Sequence, residues 1–315
     1  MDGSNAPLWG ALAVEQYLIN NWDASSTETP AQQRQRLIYG YLDLQEVPIE
    51  WLEDPACLLE GTPPRRTPTT NEIDVILRPY RNDALRRRAS QIHEHHYKDF
   101  PVFLRTHYSV EEDKRTKEDE LMDQWASSGE FEYEAWWASL NDATQFDFGS
   151  EWRRVFEILP EIAGPGSGGS LTERTLKRAL DLEDNDLVEL RVWFKEALHR
   201  EKQRDPYRWR ENREAVIEEA ATSMQHVITE IYMIIADEEA FRSGRLLVVF
   251  LDGFRNIIRQ ARFDTDEYDV DYIVSGFTET NEFAVDTTVG EKYRVEGELG
   301  KQLYQLNSED LADPN

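Results

Sequence analysis

The chain has 315 residues, with 62 Asp and Glu against 35 Lys and Arg, which gives a formal net charge of −27. Its single cysteine, Cys57, excludes an intramolecular disulfide and a thiolate metal cluster within one chain. Apolar runs such as Leu246–Leu251 are only six residues long. A membrane-spanning helix needs about 20, so no membrane partner is expected.

The basic residues are mostly arginine, with 27 Arg against eight Lys. Arg is the more weakly hydrated cation and pairs with carboxylates through a planar fork. So large a net charge destabilises a compact chain at ordinary ionic strength. At about 1 M salt the Debye length falls to roughly 3 Å, and screening removes the repulsion. The composition therefore predicts a protein of an extreme halophile or of its virus, located in a high-salt cytosol or in a virus particle.

The first part of the chain, residues 1–163, is predicted to be mostly helical from its apolar spacing. The Pro-rich stretch 60–70 is predicted to be irregular, 73–77 to be a short strand, and 101–108 to be extended. The predicted helices cover 8–22, 30–44, 84–97, 110–126, 131–141 and 150–162.

The sequence GPGSGGS at 164–170 predicts a linker or long loop, because it is glycine-rich and uncharged. The region 171–263 beyond it is predicted to be helical, first at 171–180 and 186–200. Apolar residues at 216, 220, 224, 228, 231 and 235 predict one long helix after Pro206. A further helical stripe is predicted from Leu247 to Ala261.

In the last region, 264–315, apolar and polar residues alternate at 267–274 and 283–289, which predicts strands. Gly290 is expected to turn the chain into a second hairpin strand at 292–296, before a short helix near 298–306. The predicted fold class is therefore α+β, predominantly α-helical, with a small antiparallel sheet near the C-terminus.

One segment, 61–108, is locally basic, with nine basic and five acidic residues, and its centre is Arg86-Arg87-Arg88. A positive segment in a negative protein is suited to docking on an acidic partner or on another copy of the chain. Pairing with acids of the same chain and binding of nucleic acid phosphates remain the alternatives. In molar salt the counterion release that drives phosphate binding nearly vanishes.

A second candidate contact region is the aromatic-rich stretch 131–156, in which Trp136 and Trp137 are the candidate interface anchors. The alternative is core packing, because Trp136–Leu140 and Trp152–Phe156 have helical i, i+4 spacing.

No catalytic, cofactor-binding or metal-binding residue is predicted. His93 and His96 share a helix face but have no third ligand at a convincing spacing. The glycines of 164–170 lack the lysine of a phosphate-binding loop. The acids at 264, 266, 269 and 271 lack the glycine of a calcium loop and fit a solvated strand face better.

The function that the sequence favours is a non-enzymatic structural or adaptor subunit of a larger protein assembly, such as a virion or a head–tail connection. Its expected partners are other protein subunits, as a homo-oligomer or a large assembly, and no cofactor is expected. The alternative is a nucleic-acid-binding regulator that uses a helix-turn-helix-like hairpin at 170–200, although its second helix presents mixed charges.

Overall fold

The chain forms two compact units in the computed structural model. The first comprises Met1–Phe100 and Glu151–Gly168, and the second comprises Pro101–Ser150 and Gly169–Asn315. The predicted linker at 164–170 lies outside the described residues. The structure describes residues 6–44, 47–52, 65–94, 102–127, 138–163, 184–265 and 285–314.

The described part of the first unit is helical, as predicted. Thr29 begins the second helix with a capping box, because its side chain accepts from the Gln32 amide while Gln32 accepts from the Thr29 amide. The α-helices are Ala13–Asn21, Pro30–Leu42, Ile49–Leu52, Thr70–Glu72, Asp83–Glu94 and Val155–Ile158, with 3₁₀ turns at Trp152–Arg154 and Pro160–Ile162.

The strand predicted at 73–77 is wrong, because Ile73–Leu77 is a π-helical turn that continues Thr70–Glu72. A second capping box starts this element: Thr69 accepts from the Glu72 amide and Glu72 accepts from the Thr69 amide. A run of five mostly apolar residues is too short for its periodicity to distinguish a strand from a helix. The capping box before it is the local signal that indicates a helical element.

The second unit is built on a six-stranded mixed sheet in the order β2-β1-β3-β4-β5-β6. The first three strands in this order run parallel, and the pairs from β3 to β6 are antiparallel. The strands are β1 Val102–Arg105, β2 Ala138–Leu140, β3 Ile231–Ala236, β4 Arg245–Leu251, β5 Ile257–Asp264 and β6 Val285–Val289. The helix predicted at 131–141 is therefore wrong over its described residues, where the chain forms β2.

The predicted small antiparallel sheet near the C-terminus is therefore wrong, although the α+β class holds. The segment 285–289 is a strand, as predicted, but it forms the edge of a larger sheet. The expected hairpin partner at 292–296 is instead a 3₁₀ turn at Glu291–Tyr293, whose Tyr293 is fully buried. The strand expected at 267–274 lies outside the described residues.

The single continuous helix predicted from 206 to 235 is also wrong. It is three short helices, Pro206–Glu211, Arg213–Ala220 and Thr222–Val227, followed by strand β3. Asn212 ends the first of these helices and caps the second through its side chain. Side chains on both faces of β3 are buried, so its sequence has no alternation to reveal a strand.

The helical stripe expected from 247 to 261 is wrong for the same reason, because β4 and β5 occupy it. A six-residue apolar run fits a buried strand and a buried helix equally well. Gly244, with φ of +74°, ends the helix Glu238–Ser243 in the left-handed conformation and turns the chain into β4.

Helices pack on this sheet in two apolar clusters. The first joins Phe103, Val248 and Phe250 of the sheet to Met122 and Trp125 of the helix Glu112–Ser127. The second joins Ile258 and Val289 to the helix Asp184–Arg204, the short helices after it and the C-terminal helix Glu298–Tyr304. We call Asp184–Arg204 the long helix.

Among the helices of the described ranges, none has both the length and the apolar composition required to cross a bilayer.

Candidate functional site

Arg86, the first residue of the predicted docking triplet, is buried inside the first unit. Its side chain is 1% exposed, and its guanidinium lies 3.6 Å from the centre of the Trp9 ring. Nε donates to Glu15 Oε1 at 2.7 Å, and Nη2 donates to the Pro7 carbonyl at 2.7 Å. Arg86 therefore makes the ion pair within the chain that the sequence left open as an alternative.

The rest of the triplet lies nearer the surface: Arg87 is exposed and Arg88 is partly exposed. Most other cations of the segment 61–108 bind acids of their own chain. These ion pairs are Arg66–Glu72, Arg78–Asp74, Arg81–Glu161 and Arg105–Glu118. The positive charge of this segment is thus largely neutralised within the molecule, and only Arg87 and Arg88 of the triplet retain solvent contact.

Some of the other candidate residues from the sequence lie outside the described residues. Trp136 and Trp137 fall outside the described residues, as do His95, His96 and the side chain of His93. In the described ranges, no group of three or more His, Cys, Asp or Glu side chains is arranged to hold a metal ion. Trp152 and Phe156 pack edge to face at 6.4 Å within the first unit, as core packing predicts.

The carboxyl end of β1 gathers titratable groups around Glu118. Ser109 donates to Glu118 through both its hydroxyl and its amide, and Arg105 Nη2 donates to Glu118 Oε2 at 2.9 Å. Burial by itself raises the pKa of the Glu118 carboxyl, but the Ser109 and Arg105 hydrogen bonds and nearby His107 outweigh it and lower the pKa. Glu118 therefore stays ionised and fixes the loop after β1.

A nucleophile relay at Ser109 is not supported by this geometry. His107 Nε2 lies 3.5 Å from Ser109 Oγ and 3.4 Å from Glu118 Oε1, so one ring nitrogen faces both groups. A relay needs the base to contact the nucleophile through one nitrogen and the orienting acid through the other. The Ser109 hydroxyl instead donates directly to the carboxylate, which makes the cluster a loop anchor.

Asp252, directly after the apolar run Leu246–Leu251, closes a turn. It is fully buried, and its carboxylate accepts from the amides of Phe254 and Asn256 at 2.9 Å and from Tyr293 Oη at 2.6 Å. Burial, and then the Asp252 charge, raise the pKa of Tyr293 well above its ordinary value. With both oxygens occupied, Asp252 holds the β4–β5 connection and the C-terminal segment together.

A cavity of about 310 Å³ lies beside the carboxyl end of β3, where parallel sheets commonly bind ligands. Two of its three acids are already engaged: Asp237 caps the next helix at Ala240 and pairs with Arg262 at 2.6 Å, and Glu239 pairs with Arg242, while Glu238 is exposed. The lining of this cavity therefore does not indicate a particular ligand.

The long helix carries the most exposed apolar surface of any described helix. Trp193 is 62% exposed, Val188 58% and Val192 48%. The opposite side of the helix is buried through Phe194 and Leu198. An exposed tryptophan is the type of side chain that protein interfaces use, since Trp is enriched at interface hot spots.

The cations on the inner side of the long helix bind the C-terminal segment. Arg191 Nε donates to the Leu303 carbonyl at 3.1 Å, Lys202 Nζ donates to the Asp310 carbonyl at 2.8 Å, and Lys195 pairs with the Asp310 carboxylate at 2.8 Å. These contacts fix the orientation of the helix. They also withdraw three cations that a recognition helix would turn toward phosphates.

The exposed face of the long helix was not predicted from the sequence, because this helix was considered only for residues that could contact DNA bases. A helical projection would have found it: Leu190, Phe194 and Leu198 repeat every four residues and define the inner side. Trp193 then falls away from that stripe.

Comparison with protein-family models, with curated proteins and with solved structures gives no match.

Proposed function

We propose that this chain is a non-enzymatic structural or adaptor subunit that works by contact with other protein subunits, including copies of itself. The observation that carries the proposal is the exposed apolar surface of the long helix, with Trp193 at 62% exposure. Leaving a tryptophan and two valines in water forgoes the stabilisation that their burial would supply. A partner that covers them recovers it.

Support also comes from what the buried charges do. The carboxylates of Glu15, Glu118 and Asp252 are each bonded to groups that hold two segments of the fold together. In an enzyme, groups of this type are expected to face a substrate cavity with their pKa values tuned to react. The alternative of a nucleic-acid-binding regulator is weakened by the internal use of Arg191, Lys195 and Lys202.

The setting that we propose is molar salt, in the cytosol of an extreme halophile or in a virus particle assembled there, such as a virion or its head–tail connection. The net charge of −27 and the preference for Arg over Lys support this setting. Contact through an apolar surface suits it, because the hydrophobic contribution survives where charge–charge attraction is screened.

Light scattering coupled to size exclusion in about 2 M KCl tests the proposal over a range of concentrations. We expect a mass above that of one chain which rises with concentration, because association follows mass action. A single-chain mass at every concentration up to about 0.1 mM would contradict the proposal. A single-chain mass together with a shift of duplex DNA at moderate salt would favour the regulator.

A further inference from the structure

Four exposed residues form one stripe along the long helix: Glu189, Trp193, Glu196 and Arg200. They stand at i, i+4, i+7 and i+11, and at about 100° per residue they fall within a sector of about 60°. None of the four side chains bonds to another residue of the described ranges. We call this set the 189–200 stripe.

The stripe has an internal symmetry. The pair Glu189 and Arg200 and the pair Trp193 and Glu196 share one midpoint, between residues 194 and 195. When a second copy of the helix lies antiparallel across that midpoint, each Glu189 faces the other copy's Arg200 and each Trp193 faces the other copy's Glu196. A parallel arrangement in register sets each charge against its own kind, which is repulsive.

We propose that the 189–200 stripe is the contact surface of a two-fold dimer, in which the long helices of two copies pack antiparallel. This inference rests on the proposed function and names the partner and the surface. Two-fold contacts are self-complementary, so every contact is made twice. The stripe provides two Glu–Arg ion pairs and two Trp–Glu contacts in one dimer.

The chemistry of each pair is complementary. The Trp193 indole has an N–H that needs an acceptor once the ring is covered, and the Glu196 carboxylate of the second copy supplies one. Glu189 and Arg200 carry opposite charges about 16 Å apart along the axis, at a rise of about 1.5 Å per residue. Val192 is exposed beyond the Glu196 edge of the stripe, on the side away from Trp193.

The contact is limited in size. A helix of 21 residues is about 30 Å long and offers one narrow face, which is less area than a standard stable interface buries. We therefore expect a reversible dimer with a dissociation constant on the order of micromolar. Larger assemblies of the subunit require further surfaces.

The test is a charge swap read by sedimentation equilibrium in about 0.15 M KCl, where the Debye length is about 8 Å and exposed ion pairs are screened less than in molar salt. Glu189→Arg and Arg200→Glu should each weaken the dimer by about five- to tenfold, because two ion pairs become two repulsions. The double variant should return the dissociation constant to within about threefold of the unchanged chain. The control is Glu120→Arg, which makes the same charge change at an exposed position of the helix Glu112–Ser127 and should leave the constant unchanged.

The outcomes separate the inference from the proposed function. An unchanged chain that associates, with both single variants associating equally well, overturns the inference while the proposed function stands on another surface. Weakening in both single variants without recovery in the double variant also overturns the antiparallel pairing. An unchanged chain that stays a single copy overturns both. Circular dichroism establishes that each variant is folded, as expected for exposed positions.

Discussion

Arg86 and Arg200 carry the same guanidinium group but lie in opposite surroundings. Arg86 is buried against Glu15 and Trp9 in the first unit, whereas Arg200 is exposed in the second unit and bonds to no described residue. The sequence singled out the first because its neighbours are basic. The difference shows that local net charge does not reveal which cations face solvent; the position of each on its own helix does.

The largest expected effect comes from breaking the buried pair. Arg86→Ala leaves the Glu15 carboxylate buried without its cation, so we expect a loss of about 3–5 kcal/mol in the free energy of unfolding. Chemical denaturation measures it. Arg87→Ala is the matched control, because Arg87 is adjacent and exposed, and it should change stability by less than about 0.5 kcal/mol. Equal effects of the two variants would show that Arg86 is not the buried partner of Glu15.

Salt should act differently on the net charge of the chain and on the buried Arg86–Glu15 pair. We expect the thermal midpoint to rise by roughly 5–10 °C between about 0.15 M and 2 M KCl, since screening removes the repulsion of a chain with net charge −27. For a chain of 315 residues, at about 2.1 cal/mol/K of unfolding entropy per residue, that is about 3–7 kcal/mol. The loss of unfolding free energy caused by Arg86→Ala should change by less than about 1 kcal/mol across that range, because buried pairs are screened little. A flat or falling midpoint would count against the halophilic setting.

A smaller effect is expected at Glu72 and Arg66, a pair of intermediate exposure in the first unit. The hydrogen bond from Arg66, together with those from Thr69, lowers the pKa of Glu72 from 4.5 to about 2. A pKa lowered in the folded state stabilises the fold above pH 4.5, and the contribution disappears as the pH falls from about 4.5 to about 2. Because the pair is partly solvated, its contribution near pH 7 should be about 1 kcal/mol or less.

Glu72→Gln tests this, since the amide keeps the capping acceptor and loses the charge. The difference in unfolding free energy between the unchanged chain and the variant should be positive at pH 6 and should shrink toward pH 3. Glu120→Gln, at an exposed position of the helix Glu112–Ser127, is the control for the loss of one carboxylate charge. A difference at Glu72 that grows as the pH falls would reverse the sign of the argument.

The helices of the fold were largely predictable from the sequence, because caps and apolar spacing are local signals. Thr29 and Asn82 lie at the start of the predicted helices 30–44 and 84–97, and the structure shows both side chains accepting capping hydrogen bonds there. The sheet was not predictable in the same way. β1 pairs with β2 and β3, which lie far apart in the chain, and the apolar run of β4 contains no period that separates a buried strand from a helix.

The candidate surface was only partly predictable. Arg86, Ala89 and Ile92 recur every three residues on one face of their helix, and this spacing could have placed Arg86 in the interior. The outward direction of Trp193 depends on which side of the long helix the C-terminal segment covers, through Arg191 and Lys202. The local spacing of Leu190, Phe194 and Leu198 indicates the inner side of the helix, but the residues that cover it lie about 110 positions away and cannot be read from that local pattern.

The most direct test of the central claim compares two exposed aromatic side chains near each other in the chain. Trp193 lies on the 189–200 stripe at 62% exposure, and Tyr207 lies beyond the end of the long helix at 69%. In 2 M KCl, Trp193→Ala should weaken self-association at least about thirtyfold, as the loss of an interface hot spot does, and Tyr207→Ala should leave it within about twofold. Equal dissociation constants for the two variants and the unchanged chain would contradict the claim that the long helix is the contact surface.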